Sequence, residues 1–269
     1  MSSAISVSQL NVYPVKAAHG ISFPTLAVEE RGFRLDRRWM LVDHAGVAIT
    51  QRQYPRLALL RVEIAGDGVT IHAPGKDPLS VASANGAQAM RTVDIWGDQV
   101  SAAPYPDAVN NWLSAFLEAD CSLVFMPDTS VRPVDPAYGH PEDHTSFADA
   151  YPFLLISEAS LEDLNERLEE PVPMSRFRPN IVIRGCAPFE EDTWQRVTIG
   201  DVPFRVAKPC ARCAVTTVDQ ETGVKGVEPL ATLSRFRKVG NNVLFGQNLI
   251  ADRTGAISLG DTIHGIISR

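Results

Sequence analysis

Cysteine is scarce in this chain: Cys121, Cys186, Cys210 and Cys213 are the four among 269 residues. That number cannot build a disulfide scaffold and fits free thiols in a reducing compartment. Long apolar runs are missing as well, since no stretch approaches the roughly 18 apolar residues of a membrane span. The opening MSSAISVSQLNVYPVK has no basic segment leading into an apolar core, so it does not read as a secretory signal. These absences predict a cytoplasmic protein with no membrane span. Positive charge is also in short supply, 25 Lys and Arg against 32 Asp and Glu, a formal net charge of -7. A global attraction to nucleic acid or anionic lipid is thereby disfavoured, and any anion site must be a local concentration of cations. No P-loop, no G-x-G-x-x-G after a strand and no G-x-S-x-G elbow occurs, which removes the sequence basis for nucleotide-binding and serine-hydrolase readings. Neither a solenoid-period repeat nor a low-complexity tract is visible.

What remains is ordinary globular composition, 45% hydrophobic and 21% charged, in a chain long enough for one large domain or two modest ones. From residue 5 to about 104 short β-like runs alternate with turns: QLNVYPV, TLAVEE, WMLVD, VAITQ, LALLRVEIA, VTIHA, LSVAS and MRTVDIWG. YPDAVNNWLSAFLEAD then places Val109, Trp112, Leu113, Phe116 and Leu117 at helical spacing, and CSLVFM returns to strand. Residues 127–147 are rich in Pro, Asp, Ser and His without periodicity, which predicts a binding loop or a domain boundary. In SEASLEDLNERLEE a Ser with an acid three residues on caps a helix carrying Leu161, Leu164 and Leu168 inward. The last third is again strands, with two Gly-Asp joins, TIGDVPF and SLGDTIH, that read as hairpins of a closed or nearly closed β-barrel.

Four stretches could carry chemistry. In KPCARCAVTTVD, Cys210 and Cys213 admit a structural zinc, a dithiol redox pair or two small core hydrophobes. Zinc lacks a second cysteine pair, and the redox reading lacks a helix, because AVTTV reads as a β-branched strand. Lys208 and Arg212 beside the pair favour a thiolate, the form that ligates soft metals. RGFRLDRRW carries Arg31, Arg34, Arg37 and Arg38, which is either a solvated basic edge or a phosphate grip. SRFRPNIVI sets Arg176 and Arg178 before Pro179 and Asn180 at a strand mouth, where Asn offers both a donor and an acceptor. His140 and His144 in HPEDH lie in a Pro-containing loop rather than the helix that an i, i+4 ligand pair needs, so they read as surface histidines.

In order along the chain, VYPVK, DRRWMLVD, ITQRQYPRLALL, FADAYPFLLISEASLEDLN, FRPNIVI, FEEDTW, IGDVPFRVAKPCARCAVTTVDQETG and LFGQNLI resemble the MOSC-domain proteins. The group resembled is the one containing the mitochondrial amidoxime-reducing component and its bacterial relatives. That resemblance implies a mainly β fold with a few helices. An N-terminal β-barrel domain, 1–126, would pack on a C-terminal MOSC barrel, 127–269. It implies a molybdenum cofactor, with Cys213 as the protein thiolate on molybdenum and as the catalytic residue. Lys16, Arg37 and Arg178 would hold the cofactor's phosphate or nearby polar groups, and Asn180 and Asp149 its pterin edge. Cys210 would be a neighbour and Cys186 structural. Thr216, Thr217 and Asp219 would stabilise a strand leaving the site, with Phe245 to Asn248 packed near it.

The implied activity is reduction of small N-hydroxylated substrates such as amidoximes, hydroxylamines or N-hydroxylated bases to amines. The alternative is a carrier of sulfur or of the cofactor that uses Cys213. Ala17 and Ala18 after Lys16, and Ala150 and Tyr151 after Asp149, depart from the hydroxyl-bearing residues of relatives. Since the sequence carries no plant-type ferredoxin cysteine cluster after its last barrel strand, electrons are expected from a separate ferredoxin-, flavin- or cytochrome b5-type protein.

Overall fold

The computed structural model describes residues 4–86 and 89–266; the last residue of the expected strand TIHGII, 267, lies outside the described residues. The protein is mostly β, with three α-helices among the described residues: Asp107–Leu117, Glu158–Asn165 and Leu230–Phe236. Its largest sheet runs Ile263–Ile266, Arg196–Ile199, Val202–Arg212, Asn242–Ala251, Phe153–Ser157, Ile181–Arg184, Ser6–Val12 and Ile21–Ser22, with Lys238–Val239 paired to one side. The path curls back on itself. Ser6 bridges Thr262, Ile263 N donates to Ile5 O at 2.9 Å, and Val7 N donates to Asp261 O at 3.0 Å. The first strand of the chain thus closes a barrel whose other strands, apart from the short Ile21–Ser22, lie after residue 150. Closure removes the exposed edge that an open sheet of this size would leave.

Alternation fills the barrel. Val7, Leu10 and Val12 from the first strand meet Phe153, Leu155, Ile181, Ile183, Phe204 and Leu249 in one buried cluster. Phe153 stands edge-on to Phe33 and to Phe204, at 5.0 and 5.4 Å between ring centroids. Phe153–Ser157 and Ile181–Arg184 form the parallel pair of the sheet, and helix Glu158–Asn165 makes the crossover between them. The cap of that helix is Ser157, which accepts from Ser160 N at 3.0 Å, rather than Ser160, the Ser with an acid three residues on. Leu164 is buried as expected, while Leu168 falls past the helix end. A second core around Trp39, Leu41, Leu57, Ile71 and Leu123 is sealed by Leu113, Phe116 and Leu117 of the helix Asp107–Leu117.

Three local expectations are corrected. AVTT is a 3₁₀ turn, Ala214–Thr217, at the end of the strand Val202–Arg212. The hydroxyls of Thr216 and Thr217 donate back to the Cys213 and Ala214 carbonyls at 3.0 and 2.8 Å, bonds that a strand would not allow. Of the Gly-Asp joins, Gly200-Asp201 does close a hairpin, but Gly255–Ser258 pairs with Thr25–Glu29 while Ile263–Ile266 pairs with Arg196–Ile199. VAITQ makes isolated bridges rather than a strand. The aperiodic stretch 127–147 is pinned by arginines: Arg38 donates to Asp128 Oδ1, Arg132 to the carbonyls of Ser146 and Ala148, and Arg205 to both oxygens of Asp143. No helix is long and apolar enough to cross a membrane among the described residues.

Candidate active site

A cavity of about 310 Å³ opens where the two halves of the chain meet, within the size range of small-molecule sites. Its cationic lining residues are Lys16, Arg37, Arg52, Arg178, Lys208 and Arg212, against a single carboxylate, Asp149. In an acidic chain this is the local concentration of positive charge that composition alone required.

Each cation has its own support. Lys16 follows the first barrel strand; its Nζ donates to Asp149 Oδ1 at 2.6 Å and to Phe147 O at 2.8 Å while only 5% of the side chain is exposed. Burial lowers its pKa to about 8 against the opposing pull of Asp149. The Arg37 guanidinium bonds Asp36 Oδ2 at 2.5 Å and Asn180 Oδ1 at 3.0 Å. Arg178, lowered by burial to about 10, donates to Ala18 O at 2.6 Å. The guanidiniums of Arg37 and Arg178 each lie 4.3 Å from the ring centroid of Tyr13, whose phenol burial pushes up to about 12. A neutral ring beside two like charges attracts both without neutralising either.

Asp149 faces the cavity. Although 70% of its side chain is exposed, the wall around it pushes its carboxyl up, but Lys16 and the neighbouring guanidiniums outweigh this and hold the group well below the usual carboxylate range. Among the described residues, four of the seven non-glycine residues with left-handed backbone line this one cavity: Ala17, Arg37, Trp96 and Arg178 at φ of 68, 48, 58 and 57°. Such clustering of strained backbone is characteristic of functional sites.

All six residues singled out from the sequence, Lys16, Arg37, Asp149, Arg178, Asn180 and Cys213, line the cavity. Their roles differ in geometry. Asn180 is 2% exposed and spends its amide inside the protein, accepting from Arg37 Nη1 and Leu154 N and donating to Asn11 O at 3.2 Å. Cys213 caps the 3₁₀ turn, and Cys210 accepts from Arg212 Nη1 at 3.0 Å. Neither Cys121 nor Cys186 is among the lining residues, and among the described residues no three His, Cys, Asp or Glu side chains gather as a metal cluster. A structural zinc at CARC would therefore lack its further ligands among the described residues.

Of the basic run at 31–38 only Arg37 reaches the cavity. Arg31 and Arg38 hold the segment 126–130, and Arg34 is exposed. Arg176 pairs with Asp219 at 3.0 Å and steadies the loop beyond the turn. Arg52, Trp96 and Tyr13 were given no role by sequence reasoning. A Trp-Gly turn is a visible oddity, whereas the Tyr13 stacking depends on contacts across more than 160 positions.

Fold and site together define a β-barrel protein with a cation-walled cavity and a cysteine in its wall. The chain belongs to the MOSC family: residues 4–120 match the MOSC N-terminal beta barrel domain and residues 142–264 the MOSC domain. Mitochondrial amidoxime-reducing component 1 of Homo sapiens is 35% identical over 96% of this chain and 82% of its own length. Molybdenum cofactor sulfurase of Oryza sativa subsp. japonica is 31% identical over 91% of this chain, which spans 32% of that relative. Among solved structures, the YUAD protein from Bacillus subtilis aligns over 97% of this chain and 94% of its own at a TM-score of 0.41 and 10% identity.

Proposed function

We propose that this protein is a molybdenum-cofactor-dependent reductase of N-hydroxylated compounds, working with electrons from a separate donor protein. The observation that carries the reading is the cavity wall: six cations against one carboxylate, with Cys213 among them. Arg52, Arg178, Lys208 and Arg212 have no carboxylate within ion-pair range among the described residues. Gathering them costs mutual repulsion that a bound anion relieves. Arg212 Nε and Tyr151 Oη are buried at this wall without a hydrogen-bond partner, so the wall holds polar groups that the protein itself leaves unsatisfied. An anionic pterin with a terminal phosphate and a thiolate-seeking metal fits that donor set.

In this reading Lys16, Arg37 and Arg178 take the phosphate and adjacent polar groups, and Asn180 acts through Arg37 by fixing its guanidinium. Asp149 accepts from the pterin edge through the carboxylate oxygen that Lys16 and Trp96 leave free. The Cys213 sulfur, held at the end of a barrel strand by the turn behind it, ligates the metal. When bound, the cofactor supplies a two-electron centre able to accept the oxygen of an N–O bond. The balance is R–N–OH plus two electrons and two protons giving R–N–H plus water. We place the division of labour at 1–126 and 127–269, both contributing to the cavity, and the protein in the cytoplasm.

The test is metal and pterin analysis of protein from a host that makes the cofactor, with Cys213→Ala alongside, followed by benzamidoxime reduction with a chemical reductant. Stoichiometric molybdenum and pterin, turnover in the wild type and none in the variant are expected. Zinc or no metal sinks the reading. Molybdenum without turnover of any N-hydroxylated compound favours the carrier alternative.

A further inference from the structure

The deep wall of the cavity is buried, but its lip is built from exposed groups. Trp96 and Arg52 both line it, and Trp96 is 42% exposed. Ile95 pairs with Asp98, so Trp96 and Gly97 form a two-residue hairpin turn, with φ of 58 and 94°. Such turns take Asn, Asp or Gly at the first position, because a large side chain is crowded in left-handed backbone. Trp96 therefore strains its turn and gains no full burial in return, a combination that points to use at the site. The indole is oriented: Nε1 donates to Asp149 Oδ1 at 3.3 Å, and the Arg52 guanidinium lies 4.5 Å from the ring centroid. Among the described residues Arg52 has no carboxylate within ion-pair range and its guanidinium no hydrogen-bond acceptor, so the indole is its support. The result is a part-exposed indole with the Arg52 guanidinium over it and Lys16 Nζ 5.6 Å from its centroid, Arg52 being the one of the two that no carboxylate pairs.

Resting on the reductase reading, we propose that Trp96 and Arg52 form a substrate subsite for N-hydroxylated compounds whose N–OH group is conjugated to a planar ring bearing an anionic group. The ring lies against the indole, and the anion takes the guanidinium fork. Arg52 sets the direction. It is the exposed cation at the lip, and in the reductase reading the inner cations hold the cofactor, so the ligand's charge faces outward to Arg52 and its N–OH end faces inward.

Holoenzyme is assayed with benzamidoxime and 4-carboxybenzamidoxime, and binding of the two product amidines is measured by calorimetry. The carboxylate is expected to lower KM and product Kd by about fivefold, the scale of one supported, solvent-facing ion pair. Arg52→Met brings the ratio between the two ligands to about one, and Arg52→Lys restores part of it. Trp96→Asn, which suits the turn, raises Tm while raising KM for both substrates. Equal constants for the two ligands in the wild type overturn the subsite, as does an unchanged ratio in Arg52→Met. A Trp96→Asn variant with lower Tm and unchanged KM makes Trp96 a structural residue and overturns it too. Preference in product binding without turnover of either substrate sinks the reductase reading and leaves the subsite standing.

Discussion

Lys16 shows how a single side chain couples the cavity to pH. Burial lowers its folded pKa to about 8, whereas the unfolded chain titrates near 10.5. Between those values the unfolded state binds more protons, so stability rises with pH through that window, and below it the buried ammonium is carried at a cost. Anion binding runs the other way, because an anion beside Nζ needs the proton that Lys16 surrenders above about pH 8. Arg178, lowered only to about 10, stays charged over most of the window, and Asp149 is ionised throughout. Calorimetric titration of cofactor-free protein with inorganic pyrophosphate should therefore show affinity falling from about pH 8 upward, with the step absent in Lys16→Met. A flat wild-type profile would remove Lys16 from the anion site. At this scale the cavity residues were legible through motifs such as VYPVK and FRPN, but their division of labour was not. Asn180 reads as a ligand-binding amide in the sequence, and only the distances to Arg37, Leu154 and Asn11 show it committed to the protein.

The elements around the site were read well where one periodicity dominates and poorly where two signals compete. The helix at 107–117 and the strand inside YPFLLI carry unambiguous patterns and appear as expected. AVTTV is β-branched like a strand, yet its threonines serve as local hydrogen-bond donors and wind it into a turn. The LFGQN segment shows a constraint of the opposite kind. Gly246 sits inside the strand Asn242–Ala251 at φ 82°, and a Cβ there would come within 2.6 Å of Ile156 Cγ1 and 2.9 Å of Leu155 O. Both the conformation and the space exclude a side chain, so the strand approaches Phe153–Ser157 only because this position is glycine. Gly246→Ala is expected to cost more than about 2 kcal/mol in urea unfolding. A loss within experimental error would mean that the two strands can separate without penalty.

The whole molecule settles why one acidic chain holds a strongly cationic cavity. Lys16, Arg37, Arg52 and Trp96 come from the first half, Asp149, Arg178, Lys208 and Cys213 from the second, and neither set encloses the space alone. The halves are also joined through the sheets: Ser6–Val12 lies beside Ile181–Arg184, and Thr25–Glu29 beside Gly255–Ser258. Mainly β architecture was legible from turn spacing, but this exchange of strands was not, because antiparallel pairing over nearly 180 positions leaves no local signature. Cutting at 126/127 would strip residues 127–269 of the strand that closes their barrel and open its apolar interior, Val197, Phe204 and Leu249 among it, to water. The intact chain is therefore expected to lose far-UV dichroism and tryptophan fluorescence in coincident urea transitions, whereas the isolated 127–269 fragment gives no cooperative transition. Mixing it with the 1–126 fragment should recover one, since strand Ser6–Val12 returns in trans. Cooperative unfolding of 127–269 by itself would show that the barrel closes without Ser6–Val12, and the cavity would then be an interface between two self-sufficient units.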